Sequence, residues 1–294
     1  MNEQAKLSLE RARTAAGAGA VDEARAAYAN AAVVDPEDPS LWSEQGIFLL
    51  DVARDPEAAI VAFRQSLAIR RTYADHYNLG NALLAVGRME AALEEYDASI
   101  ECKQDYAEAW TNRGIVLFNL TRHEQSRDSF ERALEVNPRL ANAWRCLRIL
   151  LEELDENEAA VEASRHFAEI VENDGEAWLK YAAGAGKLLD EQVVRHEVEG
   201  PEERILAAVE RALDLPLAPE SRRWALVERI RRLQRLAHGR QSMARALNVP
   251  GLEVLRTVQR YREAAEQAAR EVPDDPWLAE QLEDARELAG VRSE

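Results

Sequence analysis

Long apolar runs are missing from this 294-residue chain, and no stretch approaches the roughly 18 residues that a membrane-spanning helix needs. The first residues, MNEQAKLSLERAR, lack the apolar core of a signal peptide, so the expected setting is a reducing cytoplasm. Cysteine is nearly absent: Cys102 and Cys146 have no framework of partners, which excludes a disulfide scaffold. The five histidines, His76, His123, His166, His196 and His238, are scattered without metal-ligand spacing, and no serine or cysteine has a general base near it in sequence. No cofactor, metal or catalytic residue is expected, and the chain reads as a non-enzyme. Lysine occurs only four times against 33 arginines, a skew that specifies no function. Glycine (13) and proline (10) are too sparse to interrupt long helices. Basic residues are outnumbered, and a formal charge of −17 disfavours generic contact with nucleic acid or anionic lipid. The acidity is concentrated early, with 32 acidic against 18 basic residues in 1–174.

Alanine, leucine, glutamate and arginine fill the space, and 47% of residues are apolar, which predicts an all-α fold. The periodicity is sharper than the composition. Trp42, His76, Trp110, Trp144 and Trp178 stand 34 residues apart. In the same register fall Gly46, Gly80 and Gly114, then Leu49, Leu83, Leu117 and Leu151. A third column holds Ala24, Ala58, Ala92, Ser126 and Ala160. Several columns matched in side-chain size and sharing one period make each block one supersecondary unit. Small residues let two helices approach, and the aromatic and leucine columns fill the space between neighbouring hairpins. At Asp55-Pro56 the inner turn gains one residue, shifting the next helix to an Ala59, Phe63, Ser66 register before the frame recovers by Leu79.

On these residues the chain resembles the tetratricopeptide repeat family, whose signature is W-x2-L-G-x2-Y, A-x3-F, alanine and a closing proline. Trp110, Arg113, Gly114, Leu117, Ser126, Phe130, Ala133 and Pro138 follow it, as do His76, Leu79, Gly80, Leu83, Ala92, Tyr96 and Ser99, with His76 for tryptophan and Gln104 for proline. The first block keeps Ala24, Tyr28, Ala31 and Pro36. The resemblance implies a right-handed α-solenoid of helix hairpins, with repeats at 5–38, 39–72, 73–106, 107–140 and 141–174 and a sixth opening helix at 175–187. It also implies a concave groove, lined by the first helix of each pair, that accepts a peptide or a helix from a partner protein. Candidate groove contacts are Tyr77, Asn78, Asn81, Thr111, Asn112, Asn119, Asn142 and Arg145. Amides suit hydrogen bonding to the backbone of an extended peptide, although they also suit bonds within their own repeat. Arg145 is the one clear groove cation, too few for a carboxylate clamp of the co-chaperone type.

After Lys187 the frame fails. Residues 188–201 read as a linker or long loop, and 202–294 as an irregular helical C-terminal region with helices at about 202–214, 219–238, 240–248, 251–271 and 275–289. On the second of these, Leu226, Val227, Ile230, Leu233, Leu236 and Ala237 form the buried stripe. Trp224, Arg231 and Arg235 lie on the other side, within a run of eight arginines against the single Glu228. Two readings stay open there: a second interface, or Trp224 packed on the preceding helix with the arginines paired to the acidic repeats. Residues 240–261 show helix-turn-helix spacing at Ala244, Leu247, Asn248, Val249 and Val254, with Arg256, Gln259 and Arg260 as the nucleic-acid contacts it would present. Gly184-Ala-Gly186-Lys187 is read as a close-packing helix surface rather than a phosphate loop. The leading expectation is an adaptor or scaffold with a protein or peptide ligand, its C-terminal region serving as a cap, a homo-oligomer surface or a second contact. The alternatives are a regulator with a C-terminal nucleic-acid contact and a non-catalytic subunit of a larger complex.

Overall fold

The computed structural model describes residues 2–191, 199–247, 252–273 and 275–289, and these are all-α, forming fifteen helices with no strand among them. The chain divides into two compact units, Met1–Leu150 and Leu151–Glu294. No helix among the described residues is long and apolar enough to cross a membrane.

The first unit holds four helix pairs: α1 (Glu3–Gly17) with α2 (Val21–Val34), α3 (Pro39–Asp51) with α4 (Pro56–Ile69), α5 (Tyr73–Ala85) with α6 (Met89–Cys102), and α7 (Ala107–Asn119) with α8 (His123–Val136). Each helix packs chiefly on its hairpin partner, and α4 and α6 pack in turn on α5 and α7. The glycine column explains how close the partners come. A Cβ on Gly46 would lie 2.6 Å from the Phe63 ring, one on Gly80 2.7 Å from the Tyr96 ring, and one on Gly114 2.5 Å from the Phe130 ring. The aromatic of the second helix therefore rests on bare backbone of the first. Phe63, Tyr96 and Phe130 are fully buried, as are Ala24, Ala92 and Ser126 of the small-residue column.

The inner turns are built alike. One residue in each takes the left-handed conformation: Gly19 (φ 74°), Arg54 (55°), Gly87 (75°), Thr121 (58°) and, in the turn after α9 (Ala141–Glu153), Asp155 (57°). In the turns after α1, α5, α7 and α9 the next amide reaches back five residues, as in Arg88 N to Leu83 O and Arg122 N to Leu117 O, both 2.9 Å. This is the Schellman closure of a helix C-terminus. The α3–α4 turn spans four residues, 52–55, against three in 18–20, 86–88 and 120–122, and Ala59, Phe63 and Ser66 are buried on α4 as the shifted register requires. The compensation lies in the next connection: 70–72 has three residues where 35–38 and 103–106 have four.

The tryptophan column has a different task from the one its size suggests. Its indoles are half-buried rather than buried between hairpins, and each Nε1–H donates to the carbonyl six residues upstream: Trp42 to Pro36 and Trp110 to Gln104, both at 2.9 Å, with Trp144 to Pro138 likewise. They fasten the connection that leads into the first helix of each pair. His76 follows the shortened connection and instead pairs Nδ1 with Glu95 Oε2 at 2.7 Å.

In the second unit α10 (Asn157–Ile170), α11 (Gly175–Glu191), α12 (Glu199–Leu213), α13 (Pro219–Leu247), α14 (Leu252–Glu271) and α15 (Pro276–Leu288) pack in chain order. The tail departs from expectation twice. Helix α11 runs past Lys187 to Glu191, where Leu189 still packs on the Leu179–Tyr181–Ile205 cluster, and α12 starts at Glu199; both ends of the expected linker are thus helical, while 192–198 lie outside the described residues. Gly239 does not separate two helices. It lies within the 29-residue α13, because one internal glycine costs only about 1 kcal/mol relative to alanine, too little to end a helix that buries Leu226, Ile230, Leu233, Leu236 and Ala237. Gly184 and Gly186 are close-packing positions, as read: added Cβ atoms would meet Val161 at 3.0 Å and Arg232 at 2.5 Å.

Candidate functional site

Three expected groove residues converge on one face of the first unit. Tyr77 and Asn81 stand one turn apart on α5, and Asn112 projects from α7. The Asn112 Nδ2 group donates to Asn81 Oδ1 at 2.8 Å and to Tyr77 Oη at 3.2 Å. Asn81 Oδ1 also accepts from the Tyr96 hydroxyl at 2.8 Å. Both Asn112 amide hydrogens and the Asn81 carbonyl are therefore engaged. Among the described residues, Asn112 Oδ1 and the two Asn81 Nδ2 hydrogens keep open hydrogen-bonding capacity, one acceptor and two donors, which is the complement of a peptide unit.

Around this network lies an aromatic cluster that the sequence reading missed apart from Tyr77. Tyr106 stacks edge-on against Tyr73 and Tyr77, with ring centroids 5.0 and 5.1 Å apart, and Tyr96 lies 6.0 Å from Tyr77. Lys103 Nζ sits 4.7 Å from the Tyr73 centroid and 5.7 Å from that of Tyr106. Burial pushes the Tyr106 phenol up to about 12 and raises Tyr96 as well, in each case with Tyr77 adding to the shift. Phenols so far from neutrality hold their protons and act as fixed hydrogen-bond donors, not as acid–base catalysts. The signal for this cluster was the recurrence of tyrosine near the entry of α5 and α7; Tyr96 was hidden because its position reads as packing.

The other expected groove residues do not join. Thr111 is 2% exposed and its hydroxyl donates to Ala107 O at 2.9 Å, so its helix backbone consumes it. Asn78 is half-buried, and its side chain makes no hydrogen bond to the described residues. Asn119 is exposed at the last residue of α7. Asn142 and Arg145 pair with each other on α9, Nη2 to Oδ1 at 2.7 Å.

In the second unit several arginines of α13 are paired with carboxylates, most of them distant in sequence. Trp224 is half-buried against the cluster that includes Leu179, Tyr181 and Val209, not exposed among arginines. Arg231 covers the Trp277 ring at 5.4 Å, and Arg235 pairs with Glu202 at 3.3 Å. Arg222 pairs with Glu271, Arg223 with Asp275, and the buried Arg232 with both Glu202 (2.9 Å) and Glu228 (2.5 Å). Trp224 packs on the preceding helix, α12, but Arg222, Arg223 and Arg232 pair with Glu271, Asp275 and Glu202 of the C-terminal region rather than with the acidic repeats. In the helix-turn-helix-like segment, residues 240–247 are the end of α13, and the turn, 248–251, lies outside the described residues. On α14, Arg260 pairs with Glu210 at 3.1 Å, Gln259 bonds Glu263 at 2.6 Å, and Arg256 is exposed.

Comparison with known proteins agrees with the helix-pair architecture. Residues 9–75 and 107–140 each match a family model described as tetratricopeptide repeat, and residues 80–120 match one described as TPR repeat. No curated protein matches the chain in sequence. Among solved structures, a tetratricopeptide repeat protein from Parabacteroides merdae aligns with a TM-score of 0.56 at 14% identity, covering 97% of this chain and 99% of that one. The C-terminal part of a TPR repeat-containing protein from Cytophaga hutchinsonii aligns at 0.59 and 12% identity, covering 93% and 99%. MamA from Desulfovibrio magneticus aligns at 0.54 and 21% identity, covering 58% of this chain and 97% of that chain. At these identities the likeness is one of fold.

Proposed function

Because the chain is a tetratricopeptide-repeat protein, we propose that it is a non-catalytic adaptor that holds an extended peptide segment of a partner protein against the α5–α7 face, in a reducing cytoplasm. The observation that carries this reading is the Asn81–Asn112 pair. Its internal bonds fix both amides through Tyr77 and Tyr96, and its remaining acceptor and donors match a backbone C=O and N–H. Backbone capture of this kind is sequence-tolerant, and the tyrosine faces beside it supply apolar contact for side chains at low entropic cost.

The test begins with a photo-crosslinking residue at position 78 in the full-length protein, with the captured peptide identified by mass spectrometry. Titration calorimetry of that peptide then compares the native protein with Asn112→Ala. Loss of one or two hydrogen bonds predicts binding weaker by about tenfold, with the melting temperature moved by only a few degrees. Unchanged affinity would remove the amide pair from the site.

A further inference from the structure

The tyrosine cluster of the first unit already holds a cation, and it is the chain's own. Lys103, in the connection between α6 and α7, places Nζ 4.7 Å from the Tyr73 centroid and 5.7 Å from that of Tyr106. No carboxylate among the described residues pairs with it, so ring faces alone hold this half-buried ammonium. The charges around it are lopsided. Residues 73–119 carry eight acidic residues against three basic ones, Arg88, Lys103 and Arg113. Arg88 is taken by Glu57 at 2.8 Å and Arg113 by Asp97 at 2.6 Å. Glu94, Asp105 and Glu108 are exposed and have no ion pair among the described residues. Two of them flank Tyr106 in the chain, and Glu108 is close enough to add to the upward shift of its phenol. Three open carboxylates against one open ammonium leave this face short of positive charge.

The chemistry of the rings and carboxylates selects which cation suits them. A planar guanidinium stacks on an aromatic face and pairs with a carboxylate at the same time, whereas an ammonium is a compact, strongly hydrated charge. An arginine supplied from outside can therefore combine Tyr106 with Glu108, where Lys103 has the ring contacts alone. The place adjoins the amide pair. The Tyr77 ring lies 5.1 Å from that of Tyr106, and the Tyr77 hydroxyl accepts from Asn112 at 3.2 Å. One or two residues of extended chain, at about 3.3 Å each, cover that offset. Long-range attraction acts in the same direction, since a chain of net charge −17 draws in basic segments and repels acidic ones.

We propose that the peptide held on the α5–α7 face is basic, with an arginine next to the captured peptide unit that displaces Lys103 and lies on Tyr106 beside Glu108. The inference rests on the adaptor reading above and gives its ligand a chemistry. Lys103 is then a tethered competitor that keeps the rings covered until the ligand arrives. The probe is fluorescein-labelled Gly-Ser-Ala-Val-Arg-Val-Ala-Ser-Gly, followed by anisotropy with the full-length protein at low salt, beside the same peptide with citrulline, a neutral isostere, in place of arginine. The arginine peptide should bind saturably and at least about fivefold more tightly than the citrulline peptide, and Glu108→Gln should narrow the difference. Lys103→Gln should tighten the arginine peptide by about two- to fivefold, the strength of the ring contact that no longer competes. Circular dichroism verifies that each variant is folded. Weaker binding by Lys103→Gln overturns the proposal, because Lys103 would then be the contact for a carboxylate of the ligand. Equal affinity for the two peptides overturns it as well; if Asn112→Ala weakens both, amide capture stands without the arginine. No saturable signal from the arginine peptide up to about 1 mM is equally fatal to it, and the adaptor reading is then decided by its own crosslinked peptide.

Discussion

A Cβ on Gly114 would lie 2.5 Å from Cε1 of Phe130, closer than two carbon atoms can rest. Glycine inside a helix is ordinarily a weakness, and alanine there ordinarily gains about 1 kcal/mol. Here the sign should reverse. Phe130 is 1% exposed and has no space to retreat into, so Gly114→Ala should destabilise the first unit by about 1–2 kcal/mol through overpacking. Gly17, with nothing within 4 Å of an added Cβ, is the control: Gly17→Ala should be neutral or slightly stabilising. Urea unfolding of both variants checks the pair, and equal effects would refute the packing account.

Thr121 occupies a left-handed position that Gly19 and Gly87 fill in equivalent turns. For a side chain with a Cβ that conformation costs about 1–2 kcal/mol, and a β-branched residue is the worst placed to adopt it. Thr121→Gly should therefore stabilise the protein by about 0.5–1 kcal/mol after the added chain entropy of glycine is deducted. A lower unfolding midpoint would mean that the Thr121 hydroxyl, 2.7 Å from Leu120 O, matters more than the strain.

Removing one partner from the buried ion cluster of the second unit should be far more costly than losing any surface pair. Arg232, Glu202 and Glu228 are at most 5% exposed, and Arg232→Leu removes the buried partner of both carboxylates, leaving Glu202 and Glu228, among the described residues, only the exposed Arg235 and Arg231 at 3.3 and 3.6 Å. A loss of about 3–5 kcal/mol is expected, read by denaturant unfolding. Exposed pairs such as Arg88–Glu57 should give about 0–1 kcal/mol in the same assay.

Alkaline pH should loosen the protein through its buried phenols. Tyr96 and Tyr261 are fully buried, and burial raises both above the ordinary tyrosine value, with Asp284 adding to the shift at Tyr261. A raised folded-state value means that the unfolded chain releases these protons first, near pH 10. The stability they contribute is complete below about pH 10 and falls as pH rises beyond it, by up to about 1.4 kcal/mol per pH unit for each group. Phenolate absorbance should appear together with unfolding, and Tyr96→Phe should flatten the dependence. Early ionisation of Tyr96 in a folded protein would contradict this.

The sequence made the helix pairs, the glycine contacts and the shifted register of α4 legible, because each leaves a residue type at a fixed interval. The left-handed turns were invisible for the opposite reason: Gly19, Arg54, Gly87, Thr121 and Asp155 share a conformation but no chemistry. The tryptophan column was visible, yet its hydrogen bonds to upstream carbonyls were not, since backbone carbonyls carry no sequence signal. At the candidate site Asn81 and Asn112 could be named but not joined, because a 34-residue period aligns Asn112 with Asn78 and says nothing of which neighbour it touches. The arginines of α13 looked unpaired because Glu202, Glu271 and Asp275 lie about 30 to 50 residues away along the chain.

The extra residue in 52–55 and the missing one in 70–72 together keep Gly46 and Gly80 at the common interval while Phe63 and Tyr96 stand 33 apart. An error of length is thereby contained within a single hairpin and never reaches its neighbours. Deleting one residue from 52–55 alone would put everything downstream out of phase, whereas deleting it and lengthening 70–72 by one would restore the beat. The two connections behave as one adjustable joint, and chain length around it can be traded between them without retuning the rest of the array.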